Sequence, residues 1–332
     1  MAIETNNISE EEKLLISLRA SNWSEFHGQE TIKQSLMIAI RAAKQRNEAV
    51  DHVLLYGPPG LGKTTLSHLI AQEMGVNLKM TSGTALAKSG DLAAILTNLE
   101  AGEILFIDEI HRLPKTVEEM LYSAMEDFAL DIVLGKGPSA RTVRLDLPQF
   151  TLVGATTKFG SLAGPFRDRF GLVHRLNHYE ENELLQILKK AASKLGIKLD
   201  DDSGLQIAKR SRGTPRISLQ LLKRVRDFAQ IENGSQITPQ SVDQALTMLA
   251  VDSLGLTEAD RKYLTSIILK HSGGPIGLST IAALLHEDPG TIEEVLEPFL
   301  MKVGFVKRTP KGRVVTELGY QHLRVEFPEK SD

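Results

Sequence analysis

Residues 57–64 read Gly57-Pro58-Pro59-Gly60-Leu61-Gly62-Lys63-Thr64, with the spacing G-x-x-x-x-G-K-[ST]. An apolar run at 52–56 precedes them and a helix-period segment at 64–74 follows. This feature restricts the fold more than any other. Strand, glycine loop and helix in that order form half of a βαβ unit, and such units build parallel sheets. In the loop, glycines let backbone N–H groups converge on phosphate oxygens, and the helix start adds positive potential. Gly60 and Gly62 then border the phosphates, Lys63 pairs the β and γ phosphates, the Thr64 hydroxyl ligates Mg²⁺, and Thr65 contacts an outer phosphate.

The rest of the chain gives that unit a setting. Short apolar runs at 52–56, 104–107 and 150–153 alternate with helix-period segments, as in an α/β fold with a buried parallel sheet. Beyond residue 177 the pattern turns helical (180–195, 202–210, 217–231, 238–249), with turns at Gly213-Thr214-Pro215 and Asn233-Gly234. A third unit has helices at 257–271, 279–285 and 291–303. Two short strands at 304–308 and 313–316 close it around Thr309-Pro310-Lys311-Gly312, the pattern of a winged helix. The expected organisation is a mobile N-terminus (1–17), a large ATPase-type domain (18–177), a small helical lid (178–250), a winged helix (251–326) and a tail (327–332).

Composition excludes several classes. With 332 residues, 42% hydrophobic and 24% charged, the chain is neither disordered nor fibrous and has room for two or three cores. Absence of cysteine removes disulfide frameworks and cysteine zinc sites. The polar, then acidic start lacks the form of a signal peptide, and no apolar run approaches the roughly 20 residues a membrane helix needs. The expectation is a cytoplasmic protein with no membrane contact. A net charge of -3 means that any nucleic-acid contact rests on a local basic surface.

Glu103-Ile104-Leu105-Phe106-Ile107-Asp108-Glu109 is a buried strand ending in two acids, as in a Walker B segment. Asp108 would hold Mg²⁺ through water and Glu109 would polarise the attacking water. The alternative, acids that merely start a helix, loses force beside a phosphate loop. The run ending at Gly154-Ala155-Thr156-Thr157 brings Thr157 to a strand end, where ligands gather in open sheets. Arg167 and Arg169, in Gly164-Pro165-Phe166-Arg167-Asp168-Arg169-Phe170, and Arg216, after Gly213-Thr214-Pro215, are candidates to stabilise phosphate charge. Their alternative is surface or interdomain ion pairing.

Together these motifs resemble the AAA+ ATPases, and more closely the RuvB family of Holliday junction branch-migration motors. The stretches Phe106-Ile-Asp-Glu-Ile-His-Arg-Leu, Ala124-Met-Glu-Asp-Phe, Arg167-Asp-Arg-Phe-Gly, Arg210-Ser-Arg-Gly-Thr-Pro-Arg and Arg308-Thr-Pro-Lys-Gly-Arg carry the likeness, over roughly 18–323. The resemblance implies an ATP- and Mg²⁺-dependent homohexameric ring on duplex DNA at four-way junctions, acting with a RuvA-type junction-binding protein and a RuvC-type resolvase. It also implies Thr157 as sensor 1, Arg169 as an arginine finger acting in trans and Arg216 as sensor 2. Leu18 and Arg19 would lie at the nucleotide, and Tyr179 near adenine. The pattern departs from the family at Ala20-Ser21, where Pro-Lys is usual, at Trp23 and His27, which replace aliphatic residues, and at Ala87-Lys88-Ser89, where Glu-Lys-Pro is usual.

Two hairpins remain. Leu130-Asp-Ile-Val-Leu and Arg141-Thr-Val-Arg-Leu flank a Gly/Pro-rich loop. Ile132, Val133 and Leu134 either pack on their own core or, as the resemblance implies, dock onto RuvA. In the terminal hairpin, Lys302, Lys307, Arg308, Lys311 and Arg313 fall in a stretch without acids. Arg308, Lys311 and Arg313 are the candidate contacts to duplex phosphates, with a solvated basic turn as the alternative. A clamp-loader-like ATPase and an ATP-switched transcription regulator are the competing functions. Residues 291–303 carry three acids and no base before Lys302, which disfavours a base-reading helix.

Overall fold

A computed structural model describes residues 10–134, 141–232, 234 and 236–328, without the side chains of 11, 133, 134 and 141. The chain divides into two compact units, Met1–Gly196 with Gly213–Gln220, and Ile197–Arg212 with Leu221–Asp332.

In the first unit the elements are α1 (Glu10–Ser17), α2 (Glu30–Arg46), β1 (Val53–Tyr56), α3 (Lys63–Met74), β2 (Leu78–Ser82), α4 (Ser89–Leu96) and β3 (Ile104–Asp108). They continue with α5 (Lys115–Asp127), β4 (Ala129–Leu134), β5 (Arg141–Asp146), β6 (Thr151–Thr156), α6 (Gly164–Arg167), β7 (Leu172–Arg175) and α7 (Glu181–Lys194). Five strands form a parallel sheet in the order β2-β3-β6-β1-β7. The inner strands β1, β3 and β6 are the three apolar runs of the sequence. Covered on both faces, they have no reason to alternate in polarity. This order sets the C-terminal ends of β3, β6 and β1 side by side, so the residues after them form one row. Leu54, Leu105, Ile107 and Leu152 anchor the core beneath that row, with Leu121 of α5 and Phe166 of α6. The hairpin β4-β5 is a separate antiparallel pair, with Ile132 opposite Val143.

The second unit contains α8 (Asp201–Lys209), most of α9 (Pro215–Glu232), which begins in the first unit, and α10 (Pro239–Met248). Next come α11 (Glu258–His271), α12 (Leu278–Leu285), a short α13 (Pro289–Thr291), a π-helical turn (Ile292–Leu296) and α14 (Glu297–Lys302). The chain then forms β8 (Val306–Thr309), β9 (Gly312–Val315) and α15 (Glu317–Leu323). Tyr263, Ile267, Ile281, Leu300 and Phe305 form the winged-helix core, and β8-β9 is its wing. At Gly312 a Cβ would stand 2.4 Å from the Ile276 carbonyl oxygen, and its φ of 134° suits glycine, so the wing's turn closes on the backbone at Ile276 only without a side chain.

The lid expected at 178–250 is divided here. Its first helix, α7, and residues 213–220 group with the sheet, and its remainder with the winged helix. The helix α1 lies in the stretch for which a mobile terminus is expected, while residues 1–9 and 329–332 lie outside the described residues. The edge strands β2 and β7 are additions to the sequence reading.

Candidate nucleotide site and nucleic-acid interface

All nucleotide-site candidates but Arg167 and Arg169 of the finger segment meet in one cleft of the first unit, of about 610 Å³, the size of a small-ligand pocket. Gly60, Gly62, Lys63, Thr64 and Thr65 line it from the loop and α3. Asp108, Glu109 and Thr157 enter from the strand ends, and Leu18, Arg19, Tyr179 and Arg216 close it. Gly60 has φ 78°, and a Cβ there would lie 2.9 Å from both Arg216 Cβ and Thr214 Cγ2. Glycine therefore lets the segment carrying Arg216 sit on the loop, where the Arg216 N–H donates to the Gly60 carbonyl at 3.3 Å.

The electrostatics suit an anion. Lys63 is buried, and its Nζ donates to the Gly57 and Pro58 carbonyls, each at 2.8 Å. Burial lowers its pKa to about 8 against the attraction of Asp108, and Arg216 adds to the lowering. Burial also lowers Arg19, again with Arg216 contributing repulsion. Three cations held close enough to repel one another are stabilised by a polyanion such as a triphosphate. Among the described residues no group of three or more His, Cys, Asp or Glu gathers to hold a metal. Thr64 and Asp108 in the phosphate cleft instead fit Mg²⁺, which is typically held by one or two side chains, water and phosphates.

Glu109 sits at φ 47°, in the left-handed region that costs a non-glycine residue of order 1 kcal/mol or more. Its carboxylate pairs with Arg112 Nε at 3.2 Å, and both side chains are exposed enough for the pair to exchange. Beside it, Thr156 Oγ1 and His111 Nδ1 are 3.0 Å apart, and the Lys158 N–H donates to Thr156 Oγ1 at 2.9 Å. The buried Thr156 thus braces the strand end, while its exposed neighbour Thr157 faces the cleft. Sequence reasoning missed Arg112, His111 and Thr156. The spacing of Arg112 three residues after Glu109 was the one available signal.

Tyr179 does more than line the cleft. It is buried, and its hydroxyl donates to the Leu61 carbonyl at 3.1 Å, fixing the loop from the side; burial raises its pKa. Phe26, also missed, sits 3.3 Å from where a Gly62 Cβ would be. The segment carrying Arg19 is held by Lys194 of α7, whose Nζ donates to the Arg19 carbonyl at 2.7 Å and to Glu25 Oε2 at 3.0 Å. The divergent Ser21 caps the same carboxylate through its N–H (3.0 Å) and hydroxyl (2.9 Å). Those two hydrogen bonds and Lys194, led by the Ser21 N–H, hold Glu25 down at about 2.

The structure does not bring Arg167 or Arg169 to this cleft. Arg169 donates to the Tyr122 hydroxyl, pairs with Glu126 Oε2 at 2.9 Å and lies 4.5 Å from the centre of the Tyr122 ring. Arg167 lies 4.9 Å from the centre of the Phe159 ring. In the hairpin, Ile132 packs against the core of the first unit, while Val143 opposite remains exposed. The Val133 and Leu134 side chains lie outside the described residues.

The wing differs from expectation in one respect. Arg308 and Arg313 turn toward one carboxylate, Glu297, rather than projecting freely toward a phosphate track. The acid comes from α14, outside the hairpin, and so does not show in the hairpin's own composition. Lys307 and Lys311 are exposed and form no salt bridge among the described residues.

Comparison with known proteins agrees with this geometry. Residues 18–176 match the family model "Holliday junction DNA helicase RuvB P-loop domain", 179–252 the "RuvB AAA lid domain" and 253–324 the "RuvB C-terminal winged helix domain". The chain is 56% identical over 308 residues to the Holliday junction branch migration complex subunit RuvB of Fusobacterium nucleatum, covering 93% of each. The solved structure of the Thermotoga maritima RuvB Holliday junction branch migration motor superposes with a TM-score of 0.85 at 50% identity, covering 94% of this chain and 99% of that one. A point mutant of that protein gives 0.86 at the same identity, covering 94% and 100%. The clamp-loader and transcription-regulator readings give way to these matches. A P-loop sheet with paired acids at the end of β3, a lid and a terminal winged helix, matched throughout, places this chain in the RuvB family of AAA+ ATPases, the Holliday junction branch-migration motors.

Proposed function

We propose that the cleft binds ATP with Mg²⁺ and hydrolyses it to drive duplex DNA through a four-way junction. The carrying observation is the convergence in one cleft of Lys63, Asp108, Glu109 and Thr157 from neighbouring strand ends with Arg19 and Arg216. Lys63 leaves its loop carbonyls for the outer phosphates, and Glu109 leaves Arg112 to accept a proton from the attacking water. Thr157 orients that water, and Arg216 senses the γ-phosphate from the lid segment. Thr64 and, through water, Asp108 would hold Mg²⁺, which would supply neutralisation of phosphate charge.

The working assembly is a cytoplasmic homohexamer on duplex DNA, with Arg169 reaching the neighbouring subunit's nucleotide. Its large domain, lid and winged helix divide near residues 178 and 251. A RuvA-type protein at the junction receives the β4-β5 hairpin, a RuvC-type resolvase completes the complex, and Arg308, Lys311 and Arg313 face the duplex backbone. The direct test is branch migration of a synthetic four-way junction, with and without a RuvA protein and ATP. Product only with all components supports the reading, and failure to move the junction despite rapid ATP hydrolysis refutes it.

A further inference from the structure

The second unit contains two carboxylates that contact the wing arginines in different ways. Glu297, at the start of α14, is fully buried. It accepts from Arg308 Nε and Nη2 at 3.0 and 2.6 Å, from Arg313 Nε at 2.8 Å and from the Tyr263 hydroxyl at 3.0 Å. Glu293 lies on the π-helical turn just before it and takes the third nitrogen of Arg308, Nη1, at 3.0 Å. It also stands 3.7 Å from Arg313 Nη2. Every guanidinium nitrogen of Arg308 is therefore engaged.

The two pairs differ in how easily they break. Opening the Glu297 pair would strand a buried charge, a costly change. Glu293 and Arg308 are 46% and 41% exposed, so their pair is weak, salt-screened and free to exchange. A duplex phosphate arriving at Arg308 has one nitrogen to gain and one carboxylate to displace. The π turn widens the helix at the residue that supplies the displaceable acid, a distortion common at functional positions.

We propose that Glu293 is an intramolecular stand-in for a DNA phosphate on Arg308, displaced when the wing meets duplex, while Glu297 remains paired and positions Arg308 and Arg313. The proposal rests on the reading of the wing as a duplex contact and goes beyond it. Its consequence is a contact in which one anion replaces another, so little free energy is gained or lost at this position. A motor needs such a contact, because it must release each phosphate it meets. The unpaired Lys307 and Lys311 supply the general attraction.

The test uses the full chain and a labelled duplex of two unrelated sequences, with affinity measured across a salt series. Glu293→Gln is expected to tighten binding roughly three- to tenfold at low salt on both sequences, and Glu297→Gln to weaken it. In an Arg308→Ala background, Glu293→Gln is expected to lose most of that gain, because Arg308 Nη1 at 3.0 Å is a closer partner than Arg313 Nη2 at 3.7 Å. No tightening, or tightening that persists undiminished without Arg308, overturns the proposal; the latter would be a general effect of removing an acid. Glu293 is exposed, so its variants fold even where Glu297→Gln does not. Wild-type affinity and salt slope in Arg308→Ala, Lys311→Ala and Arg313→Ala alike would instead overturn the wing as a duplex contact.

Discussion

Lys63 and Glu109 both border the cleft, and the proposed reaction gives them different stages. In that reading Lys63 contacts ground-state phosphates, so Lys63→Ala is expected to abolish tight ATP binding. Glu109→Gln is expected to bind ATP and lose turnover by about 10²–10⁴-fold, the usual contribution of a general base. Equal loss of binding in both, measured with a fluorescent ATP analogue, removes the assignment. The lowered pKa of Lys63 adds a pH dependence. Below about 8 the ammonium is already formed and its protonation does not affect affinity. Bound triphosphate favours the charged form, so as pH rises above about 8 binding has to take up a proton, and ATP affinity falls toward tenfold per pH unit. A dissociation constant that stays flat above that pH would show that Lys63 does not titrate there. The positions of Lys63, Asp108 and Glu109 were legible because phosphate chemistry fixes residue type and spacing together. Tyr179's bond to Leu61 and the bracing of Thr156 by His111 were not, since each joins residues whose separation in sequence carries no pattern.

Among the elements, legibility followed burial. Strands β1, β3 and β6 are covered on both faces and read as apolar runs. Edge strands β2, Leu-Lys-Met-Thr-Ser, and β7, Leu-Val-His-Arg, are half wet and show no such signal. Helices α7 and α9 were visible through their periodicity, and the winged helix through its turns. The β4-β5 hairpin was visible as two strands, but its faces were not assigned. Ile132 packs on the core, so Ile132→Asp is expected to cost about 2 kcal/mol or more in stability and confounds any docking test. Val143, 39% exposed on the same face, separates the two roles. Val143→Asp is expected to shift stability by about 0.5 kcal/mol or less and leave ATP binding unchanged, while loading onto a RuvA-bound junction is lost. Retained loading, with Tm and ATP affinity as wild type, would show that this face does not dock.

For the whole molecule, the informative residue is one that its own cleft does not use. Arg169 is held on α5 by Tyr122 and Glu126, and neither it nor Arg167 lines the cleft that holds Lys63, Glu109 and Arg216. As the finger of the proposed ring, Arg169 would serve another copy's nucleotide, which would make hydrolysis depend on assembly. Arg169→Ala is then expected to lower ATP turnover about 10³-fold with ATP binding intact, since a finger stabilises charge that develops only in the transition state. The trans arrangement has a sharper consequence. In a ring mixed from Arg169→Ala and Glu109→Gln subunits, some interfaces pair an intact Glu109 with an intact Arg169 from the neighbour, and those interfaces are complete. Mixtures are therefore expected to recover hydrolysis that neither variant shows alone, greatest near equal proportions and absent when subunits cannot exchange. If Arg169 acted within its own chain, every subunit in the mixture would lack one of the two groups and no ratio would restore turnover. Rings that assemble, bind ATP and remain inactive at all ratios would thus exclude Arg169 as the trans finger, and the same mixing with Arg167→Ala would show whether its neighbour holds that position.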